Sequence, residues 1–527
     1  MFQPRERNTT IRPQNAARTR PTGRPQVSGG PAGAPRPHPG AEAPLGVVHL
    51  TAEYWPFART GGLGEAVSGL ARFQAAAGVP TTVLLPLYRQ VREAVPSLER
   101  SGPPLAVAVG RHTEPAWLYR PFAGESGTGP QVFFVEHPDF FDRAGIYGDE
   151  DGDYADNAHR FAFFCLAALT ALPQIAPAAR VLHAHDWHTA LAPVYLRTLF
   201  AAEPFHRRLA TVLSVHNAGF QGHFPPTTLA ELGLPAKLYN GDVFEWYGRM
   251  NVLKGGLAFS DMAVTVSPTH ARELRTPEGG FGLHDKFIAL ADRLVGILNG
   301  IDPEGWNPGT DPQISAHYSI DDLTGKRRCK TALQHGYGLP EQATTPVFGM
   351  SARLVAQKGL DLVLGADLLA ESDAQFVFLG SGEHRYHAAL IELAGAAPER
   401  VAVEFAFTDH LEHRLLAGAD LLLMPSLYEP CGLTQMRAQR YGTIPVARRV
   451  GGLLDSIQDG DTGFLFDAYL PEALTQSVGR ALECFRDRAA WRAFVRRAMS
   501  QQFGWDRSAA QYLDVYRRAL AAGPVAR

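Results

Sequence analysis

The chain has 527 residues, more than one ordinary hydrophobic core supports, so we expect two domains. Apolar residues make up 45% of it and charged residues 20%, which is typical of a globular protein in water, and a formal net charge of −3 does not favour nucleic acid or an anionic membrane as the main partner. We find no apolar run of about 18 residues that would predict a membrane span. The cysteines (Cys165, Cys329, Cys431 and Cys484) are scattered without a C-x-x-C pair, which argues against a disulfide framework or a thiolate zinc site and favours a reducing, cytoplasmic setting.

Residues 1–44 differ in composition from the rest of the chain. They contain nine prolines, seven arginines and only two acids, with almost no large apolar residue. Such a segment cannot bury enough surface to offset the entropy of ordering it, so we predict a disordered tail. A dispensable extension and an organellar transit peptide both stay open, although no amphipathic helix is evident in it.

From Leu45 onward, short apolar runs alternate with helical patterns. The strand candidates are residues 46–53, 81–86, 131–137, 180–186, 210–216 and 262–267 in the first half, and 345–352, 375–381, 400–407, 420–426, 444–449 and 462–466 in the second. The helical patterns include residues 160–172, preceded by Asp156 as a candidate N-cap, and residues 359–370. Continuous apolar runs are typical of parallel strands covered on both faces. The sequence therefore predicts an α/β fold with two doubly wound domains.

A cluster of Gly, Pro and Asn at residues 295–308 marks the seam between the two series. We therefore expect a first domain at 45–296, a second at 297–505, and a C-terminal helix and tail at 506–527. In open α/β sheets, ligands bind outside the carboxyl ends of the strands. Functional residues are therefore expected in the loops that follow the strands.

The first such loop follows the strand candidate that ends at Glu53. It contains Arg59, Gly61 and Gly62, directly before a helical pattern. Glycines let a ligand approach the backbone closely, and the amino terminus of a helix attracts anions. The spacing matches neither a P-loop nor a G-x-G-x-x-G fingerprint, so a purely structural turn stays open as an alternative.

Two loops in the second half carry charges. Arg353 and Lys358 lie in one loop, where a guanidinium fork and an ammonium point charge would together suit a diphosphate. Glu429 begins the sequence EPCGLTQ, and a carboxylate at this place can bind sugar hydroxyls or face positive charge at a sugar carbon. Both features also have structural interpretations, namely solvated surface cations and an acid at a helix start.

The sequence HAHDWH raises the question of a metal site, because His183 and His185 project to one face of a strand. The aspartate does not stand where H-x-H-x-D-H zinc hydrolases have it, and no second ligand cluster accompanies it, so metal binding is disfavoured. We interpret Asp186 as a strand-end residue that binds a polar ligand. His216 and Asn217 stand at a third strand end. No serine or cysteine nucleophile signature accompanies them.

Taken together, the motifs closely resemble the bacterial and plant glycogen and starch synthase family. The resemblance is carried, in order from about Val47 to Tyr516, by RTGGLGE, DNAHRF, HAHDWH, VHNAGFQG, KGGLAFSD with VTVSPT, LNGID, SARLVAQKGLD, EPCGLTQ and RYGTIPVARRVGGL. It implies a GT-B fold, in which two Rossmann-like domains face each other across a cleft. It also implies a retaining transfer of glucose from ADP-glucose to the non-reducing end of an α-1,4-glucan such as glycogen.

The resemblance implies a role for each matching residue. Arg353 and Lys358 match the pair that grips the donor diphosphate, while Glu429 and His216 match residues beside the transferred glucose, and these four are the catalytic candidates. The substrate-binding candidates are Glu53, Arg59, Gly61, Gly62, Asp186, Asn217, Cys431, Gly432, Leu433 and Thr434. Because the cations come from Arg and Lys, no metal and no cofactor are implied. The oligomeric state is not predicted.

Two departures from the family leave alternatives open. The family usually has K-T-G-G-L followed by an aspartate, whereas this chain has Arg59 and Glu65 at those places. Arginine is longer and planar, so donor affinity and nucleotide preference come into question. A catalytically weakened homologue that binds glucan or nucleotide, and a member that uses UDP-glucose or another sugar donor, therefore stand beside the active ADP-glucose enzyme.

Overall fold

A computed structural model of the protein describes residues 45–523, except 96, 123–128, 151, 367 and 371. The described residues form one compact unit. The predicted tail at 1–44 lies outside the described residues. Two sheets divide the described chain into an N-terminal lobe and a C-terminal lobe.

The N-terminal lobe is built on a ten-stranded sheet. Seven of its strands are parallel, in the spatial order Leu294–Gly296, Met262–Thr265, Ala210–Val215, Ala179–His185, Gly46–Leu50, Thr81–Pro86 and Gln131–Glu136. Antiparallel strands extend one edge: His112–Pro121, Leu98–Arg100 and Leu105–Val109. The helices of this lobe are Gly62–Ala76, Arg89–Ala94, Pro138–Phe141, Asn157–Ile175, Asp186–Thr189, Leu191–Arg197, Pro204–Arg207, Thr228–Glu231, Val252–Phe259, Pro268–Glu273 and His284–Ala289.

The C-terminal lobe is built on a six-stranded parallel sheet. Its spatial order is Val401–Glu404, Gln375–Leu379, Val347–Ser351, Leu421–Met424, Ile444–Arg448 and Phe464–Phe466. Its helices are Thr324–Gly336, Leu360–Gly365, His384–Ala396, Asp409–Gly418, Thr434–Arg440, Gly451–Ser456, Pro471–Arg486 and Arg488–Met499. The strands are almost entirely buried, as their continuous apolar runs predict.

Both sheets have the doubly wound strand order. When the parallel strands of each lobe are counted along the chain, their spatial order is 3-2-1-4-5-6, with a seventh strand at the end of the N-terminal sheet. The order reverses between Gly46–Leu50 and Ala179–His185 in one lobe, and between Val347–Ser351 and Leu421–Met424 in the other. Ligand crevices form at such reversal points. The predicted fold class, with two Rossmann-like halves, is confirmed.

The last helix, Trp505–Ala522, packs on the N-terminal lobe although it follows the C-terminal lobe in sequence. Trp505, Tyr512 and Tyr516 are buried against Val47 and Val212 of the N-terminal sheet. The chain crosses between the lobes twice at the same place, where the Ile301 N–H donates to the Phe503 carbonyl at 2.7 Å. The predicted C-terminal helix therefore packs on the N-terminal lobe and not on the C-terminal lobe that precedes it in sequence.

One helix among the described residues, Asn157–Ile175, is long and apolar enough to cross a membrane by length and composition. Within the protein, 72% of its apolar window is buried. Phe163, Phe164 and Leu169 belong to the core of the N-terminal lobe. The helix is thus a core element of this fold.

The antiparallel edge of the N-terminal sheet was missed by the sequence analysis. Its hairpin joins Val109 to His112 through a two-residue turn that begins at Gly110, with φ of +59°. Burial alternates along Leu105–Val109, but its sequence LAVAV is apolar throughout, so the sequence carried no period-two alternation that would have revealed the strand. The helix predicted at 359–370 is also shorter than expected, since it spans Leu360–Gly365 and Ala366 is extended.

Candidate active site

Glu53 organises the first loop of the N-terminal lobe. Its buried carboxylate accepts hydrogen bonds from the Thr60 N–H and Oγ1, both at 2.7 Å, from the Gly61 N–H at 3.2 Å and from the Tyr147 hydroxyl at 2.7 Å. The backbone amides before helix Gly62–Ala76 are therefore held by a carboxylate of the protein itself. Packing does not explain the two glycines, because a Cβ at Gly61 would meet no described atom within 4 Å and one at Gly62 only Leu433, at 3.9 Å.

Arg59 bridges the two lobes. Its guanidinium donates to Glu65 Oε1 at 2.6 Å within the N-terminal lobe and to Asp409 Oδ1 at 2.7 Å in the C-terminal lobe. Glu65 also pairs with Arg437, whose guanidinium reaches Glu412 Oε2 at 3.1 Å. Burial raises the pKa of Glu412 to about 7 and lowers that of Arg437 to about 9. The charge of Arg59 is thus shared between two carboxylates.

Asp186 and His216 meet at neighbouring strand ends of the N-terminal lobe. Asp186 Oδ1 accepts the backbone N–H of His216 at 2.7 Å, and Asp186 itself has a left-handed backbone with φ of +55°. Burial raises the pKa of the Asp186 carboxyl to about 7, against the opposing effect of the His216 and Asn217 amides. A positive φ is uncommon at non-glycine residues, although aspartate adopts it more readily than most, and such backbone conformations are concentrated at functional sites.

His216 is the end of a buried hydrogen-bonded relay. Gln74 Oε1 lies 2.8 Å from His49 Nε2, His49 Nδ1 lies 3.0 Å from His185 Nε2, and His185 Nδ1 lies 3.0 Å from His216 Nε2. Because the Gln74 oxygen accepts, each ring in turn donates through Nε2, so His216 donates its Nε2–H and keeps a lone pair on Nδ1. Burial lowers the pKa of His216 to about 3 and that of His49 to about 4, so both rings are neutral.

The relay accounts for the histidines of HAHDWH. The ligand atoms of His49, His183 and His185 lie within 4.8 Å of one another, close enough to share a metal ion. His183, however, bonds the Tyr516 hydroxyl at 2.8 Å and Ser214 Oγ at 2.7 Å, and both nitrogens of His49 and His185 are engaged in the relay. Hydrogen bonds within the protein thus explain the arrangement of these rings.

Lys358 and Glu429 form an ion pair at the reversal point of the C-terminal sheet. Lys358 Nζ donates to Glu429 Oε2 at 2.6 Å, and Ser426 Oγ donates to the same oxygen at 3.0 Å. Glu429 is buried, whereas the Arg353 side chain is exposed. Among the described residues, no ion-pair partner faces the Arg353 guanidinium. The structure therefore brings Lys358 and Glu429 into contact and leaves Arg353 as an uncommitted cation in the same loop as Lys358.

The residues after Glu429 build a tight turn into helix Thr434–Arg440. Gly432 has φ of +69°, and burial raises the pKa of the Cys431 thiol to about 12, so this cysteine is a protonated packing residue. Leu433 faces Gly62 across the lobes, and Thr434 Oγ1 donates to Glu412 at 3.2 Å. Of these four predicted binding residues, Leu433 and Thr434 lie beside the contacts of the first loop.

Several further contacts join the lobes around these loops. Ser267 Oγ donates to the Pro430 carbonyl at 2.6 Å, the Thr269 N–H and hydroxyl both donate to Asp455 at 2.7 Å, and the Gly451 N–H donates to Glu273 at 2.8 Å. The Gly452 N–H also donates to the Glu429 carbonyl at 3.0 Å. The loop that carries Glu429 is thus fixed from both lobes.

The sequence analysis did not identify several residues that make contacts at this site, and its prediction of Asp156 as an N-cap was wrong. Asp409, Arg437, Tyr428 and Gln74 were not identified; Asp409 and Tyr428 follow strands, which was the available signal, whereas nothing local marks Gln74. The Asp156 side chain makes no N-cap hydrogen bond. It pairs with Arg143 at 2.6 Å instead, because a nearby guanidinium is a stronger partner than a backbone amide.

Comparisons with known proteins agree with this architecture. The starch synthase catalytic domain family model matches residues 46–289, and the glycosyl transferases group 1 model matches residues 338–497. A glycogen synthase of Anaeromyxobacter dehalogenans strain 2CP-1 is 43% identical over 90% of this chain and 99% of its own length. The chain belongs to the glycogen synthase family. Another family member, from Syntrophotalea carbinolica, is 42% identical over the same shares.

A solved starch synthase structure has the same fold as this chain. The catalytic domain of starch synthase IV from Arabidopsis thaliana, solved with ADP and acarbose, has a TM-score of 0.82 and 33% identity over 91% of this chain and all of that one. A sucrose-phosphate synthase from Thermosynechococcus elongatus shares the fold alone, with a TM-score of 0.58 and 16% identity. The GT-B fold and the glycosyltransferase class of this chain are thereby established.

The two departures from the family pattern belong to one network. Glu65 contacts both Arg59 and Arg437, and Arg59 contacts carboxylates in both lobes. A guanidinium fork can engage two carboxylates at once, which the point charge of a lysine does less well. The two residues that depart from the family pattern, Arg59 and Glu65, therefore form an ion pair with each other.

Proposed function

We propose that this protein is a glycogen synthase that transfers glucose from ADP-glucose to the non-reducing end of an α-1,4-glucan with retention of configuration. The observation that carries the proposal is the Lys358–Glu429 pair at the reversal point of the C-terminal sheet, next to Tyr428, whose side chain is hydrogen-bonded to Asn217 of the N-terminal lobe. Arg353 lies in the loop of Lys358, and His216 precedes Asn217. Except for Tyr428, these are the residues that the family resemblance assigns to donor and glucose binding.

The chemistry of the proposed transfer suits these groups. Departure of ADP builds negative charge on the diphosphate, which Arg353 and Lys358 stabilise, while positive charge grows at the anomeric carbon beside Glu429. The contact between Glu429 and Lys358 orients the ammonium before substrate binds. Open space around the Cβ positions of Gly61 and Gly62 leaves room for a ligand at the backbone. Retention is proposed to follow front-face transfer, in which the acceptor hydroxyl enters on the side that the diphosphate leaves.

The test is to incubate the purified protein with glycogen and either ADP-glucose or UDP-glucose. We expect nucleoside diphosphate release and chain growth with ADP-glucose, and cleavage of the added glucose by an α-1,4-specific exoglucosidase. Glu429→Gln should lower kcat at least about 100-fold, whereas Glu304→Gln, on an exposed turn, should not. Absence of both release and growth would overturn the proposal, and faster turnover of UDP-glucose would correct the donor.

The weakened homologue remains the second candidate because Arg59 is already shared between Glu65 and Asp409. This second function predicts saturable binding of ADP-glucose without turnover. The Arg59→Lys substitution should then restore turnover. Calorimetric titration with ADP-glucose, run beside the activity assay, separates the two functions.

A further inference from the structure

A cavity of about 450 Å³ opens on the surface of the N-terminal lobe, at the edge of its large sheet. Its walls are the edge strand Leu294–Gly296, the helix Pro268–Glu273 with the turn that follows it, and the last helix of the chain. Among the described residues that line it, none belongs to the candidate active site. The cavity is therefore a second candidate site, separate from the first.

Three arginines line this cavity, and we call Arg272, Arg275 and Arg518 the arginine triad. Arg272 and Arg275 share one helical turn, since the Arg275 N–H donates to the Arg272 carbonyl at 3.1 Å, and side chains three positions apart on such a turn are neighbours. The Arg275 and Arg518 guanidiniums donate to the carbonyls of consecutive residues, Ala291 at 2.8 Å and Asp292 at 2.6 Å. The fold thus draws three guanidiniums together around one cavity.

The groups that hold the arginine triad are uncharged. The Arg275 guanidinium also donates to the Ala271 carbonyl at 2.7 Å, and that of Arg272 donates to the Thr269 hydroxyl at 2.6 Å. Within the described part of the chain, none of the three forms an ion pair with a carboxylate. Asp292 is the one acid among the described residues that line the cavity, so three positive charges face one negative charge. Like charges this close repel each other, and a bound anion would relieve the repulsion.

The backbone is strained at the wall of the cavity. Ala291 has φ of +47° and is one of the four non-glycine residues with positive φ in the described chain. Alanine has no side-chain hydrogen bond that would favour this left-handed conformation, which surrounding structure must therefore maintain. The carbonyl of the same residue accepts the hydrogen bond from Arg275. The loop thus positions a guanidinium at the cost of an unfavourable backbone conformation, as ligand sites often do.

We propose that the arginine triad binds the phosphate group of a small phosphate monoester such as a sugar phosphate. Guanidinium forks match the geometry of phosphate oxygens, and hydrogen bonds between such ions are stronger than those between neutral groups. The volume leaves room for more than a phosphate, because pockets of about 300–1,000 Å³ hold small organic molecules. Ala271, Leu294 and Val295 give the walls apolar surface on which the organic part can pack. This site goes beyond the proposed function and does not depend on it.

Calorimetric titration of the full chain with α-glucose 1-phosphate and with inorganic phosphate tests the site. We expect the ester to bind more tightly than inorganic phosphate. The double variant Arg272→Gln/Arg518→Gln should raise the Kd for the ester at least about tenfold, because charge-assisted hydrogen bonds to the phosphate are lost. Both side chains are exposed, so the variant should keep the wild-type unfolding temperature. Arg275 is left in place because it holds backbone carbonyls.

The matched control is Arg327→Gln/Arg496→Gln in the C-terminal lobe. Arg327 donates to a threonine hydroxyl three positions earlier, as Arg272 does, and Arg496 donates to a backbone carbonyl, as Arg518 does. Both control arginines are exposed. The control thus removes two charges of the same kind outside the cavity, and the Kd for the ester should stay at the wild-type value.

The titrations are repeated in an Arg353→Ala background, because Arg353 offers anions a second place to bind. The tenfold loss should persist there. An equal Kd for the ester in the wild type and the double variant would overturn the proposal, as would an equal rise in the control. Equal affinity for the ester and for inorganic phosphate would overturn the assignment of a monoester. Binding needs no turnover, so these titrations decide the arginine triad whether or not the protein transfers glucose.

Discussion

Single residues in this protein act through the partners that the fold gives them. Arg59 is the clearest case, because a cation at a glycine turn becomes a bridge between Glu65 and Asp409 on opposite lobes. Under the proposed function, the donor diphosphate would have to compete with these carboxylates for the guanidinium. Donor affinity would then be set by the balance between the contact with the ligand and the internal ion pairs.

This balance predicts opposite effects for two variants. Arg59→Ala should raise the KM for ADP-glucose about tenfold, because a charge-assisted contact to the donor is lost. Asp409→Asn frees the same guanidinium from one competitor and should leave the KM equal or lower. Steady-state kinetics with varied donor measure both. If Arg59→Ala leaves KM and kcat unchanged, the first loop is only a structural turn.

Gln74 is a positioning residue for His216, through His49 and His185. Gln74→Leu should remove the acceptor that fixes the direction of the relay, so both neutral tautomers of His216 become populated and kcat falls roughly tenfold. The ¹⁵N chemical shifts of the His216 ring measure the tautomer. Gln334→Leu is the matched control, since Gln334 is equally buried in the C-terminal lobe and hydrogen-bonded to Gln375. An unchanged His216 spectrum in Gln74→Leu contradicts the relay.

At the scale of secondary-structure elements, a glycine at the start of a helix allows the close backbone packing that brings the site residues together. Gly359, between the Lys358 loop and helix Leu360–Gly365, has φ of +76°, and a Cβ there would lie 2.0 Å from the Pro425 carbonyl oxygen. Pro425 follows the strand that leads to Glu429. The close approach of these two backbones is what brings Lys358 within reach of Glu429.

We expect Gly359→Ala to destabilise the protein more than Gly338→Ala. Both positions have a left-handed backbone, which costs about 1 kcal/mol at a non-glycine residue, but a Cβ at Gly338 meets no described atom within 4 Å. The clash at Gly359 adds about 1–3 kcal/mol. Thermal unfolding measures the difference, and kcat should fall only for Gly359→Ala. Equal unfolding temperatures for the two variants would contradict this prediction, because they would show that the backbone at Pro425 moves away from the new Cβ at no cost.

At the scale of the whole molecule, buried ionisable groups set the dependence of stability on pH. Burial lowers the pKa of five histidines, so these rings bind protons only on unfolding: His49, His183, His185, His188 and His216. Two carboxyls with raised pKa, Asp186 and Glu412, instead release protons on unfolding. The histidines contribute stability above pH 6.5 that is lost as pH falls; the carboxyls contribute stability that is lost as pH rises toward 7.

These opposed groups predict a flat stability profile near pH 7 and a decline below pH 6. There, five histidines outweigh two carboxyls, and each histidine costs about 1.4 kcal/mol per pH unit below its unfolded pKa. Calorimetric scans from pH 5 to 7.5 measure the profile. Asp186→Asn removes one opposing group and should steepen the decline, whereas Asp285→Asn, whose side chain is 93% exposed in the wild type, should not. Stability that rises from pH 6 to pH 5 would contradict this account.

The amino-acid sequence alone determined the α/β class, the parallel strands, the family and the loops that carry Arg353, Lys358, Glu429 and His216. These follow from local information, because apolar runs report burial and motifs report the chemistry of one loop. The tertiary structure alone decided that Arg59 meets Asp409, that Gln74 reaches His216 through two histidines, and that the last helix covers the first sheet. Each of these contacts joins residues far apart in sequence, so no local pattern specifies it. Long-range packing of two lobes determines which charges and rings become partners.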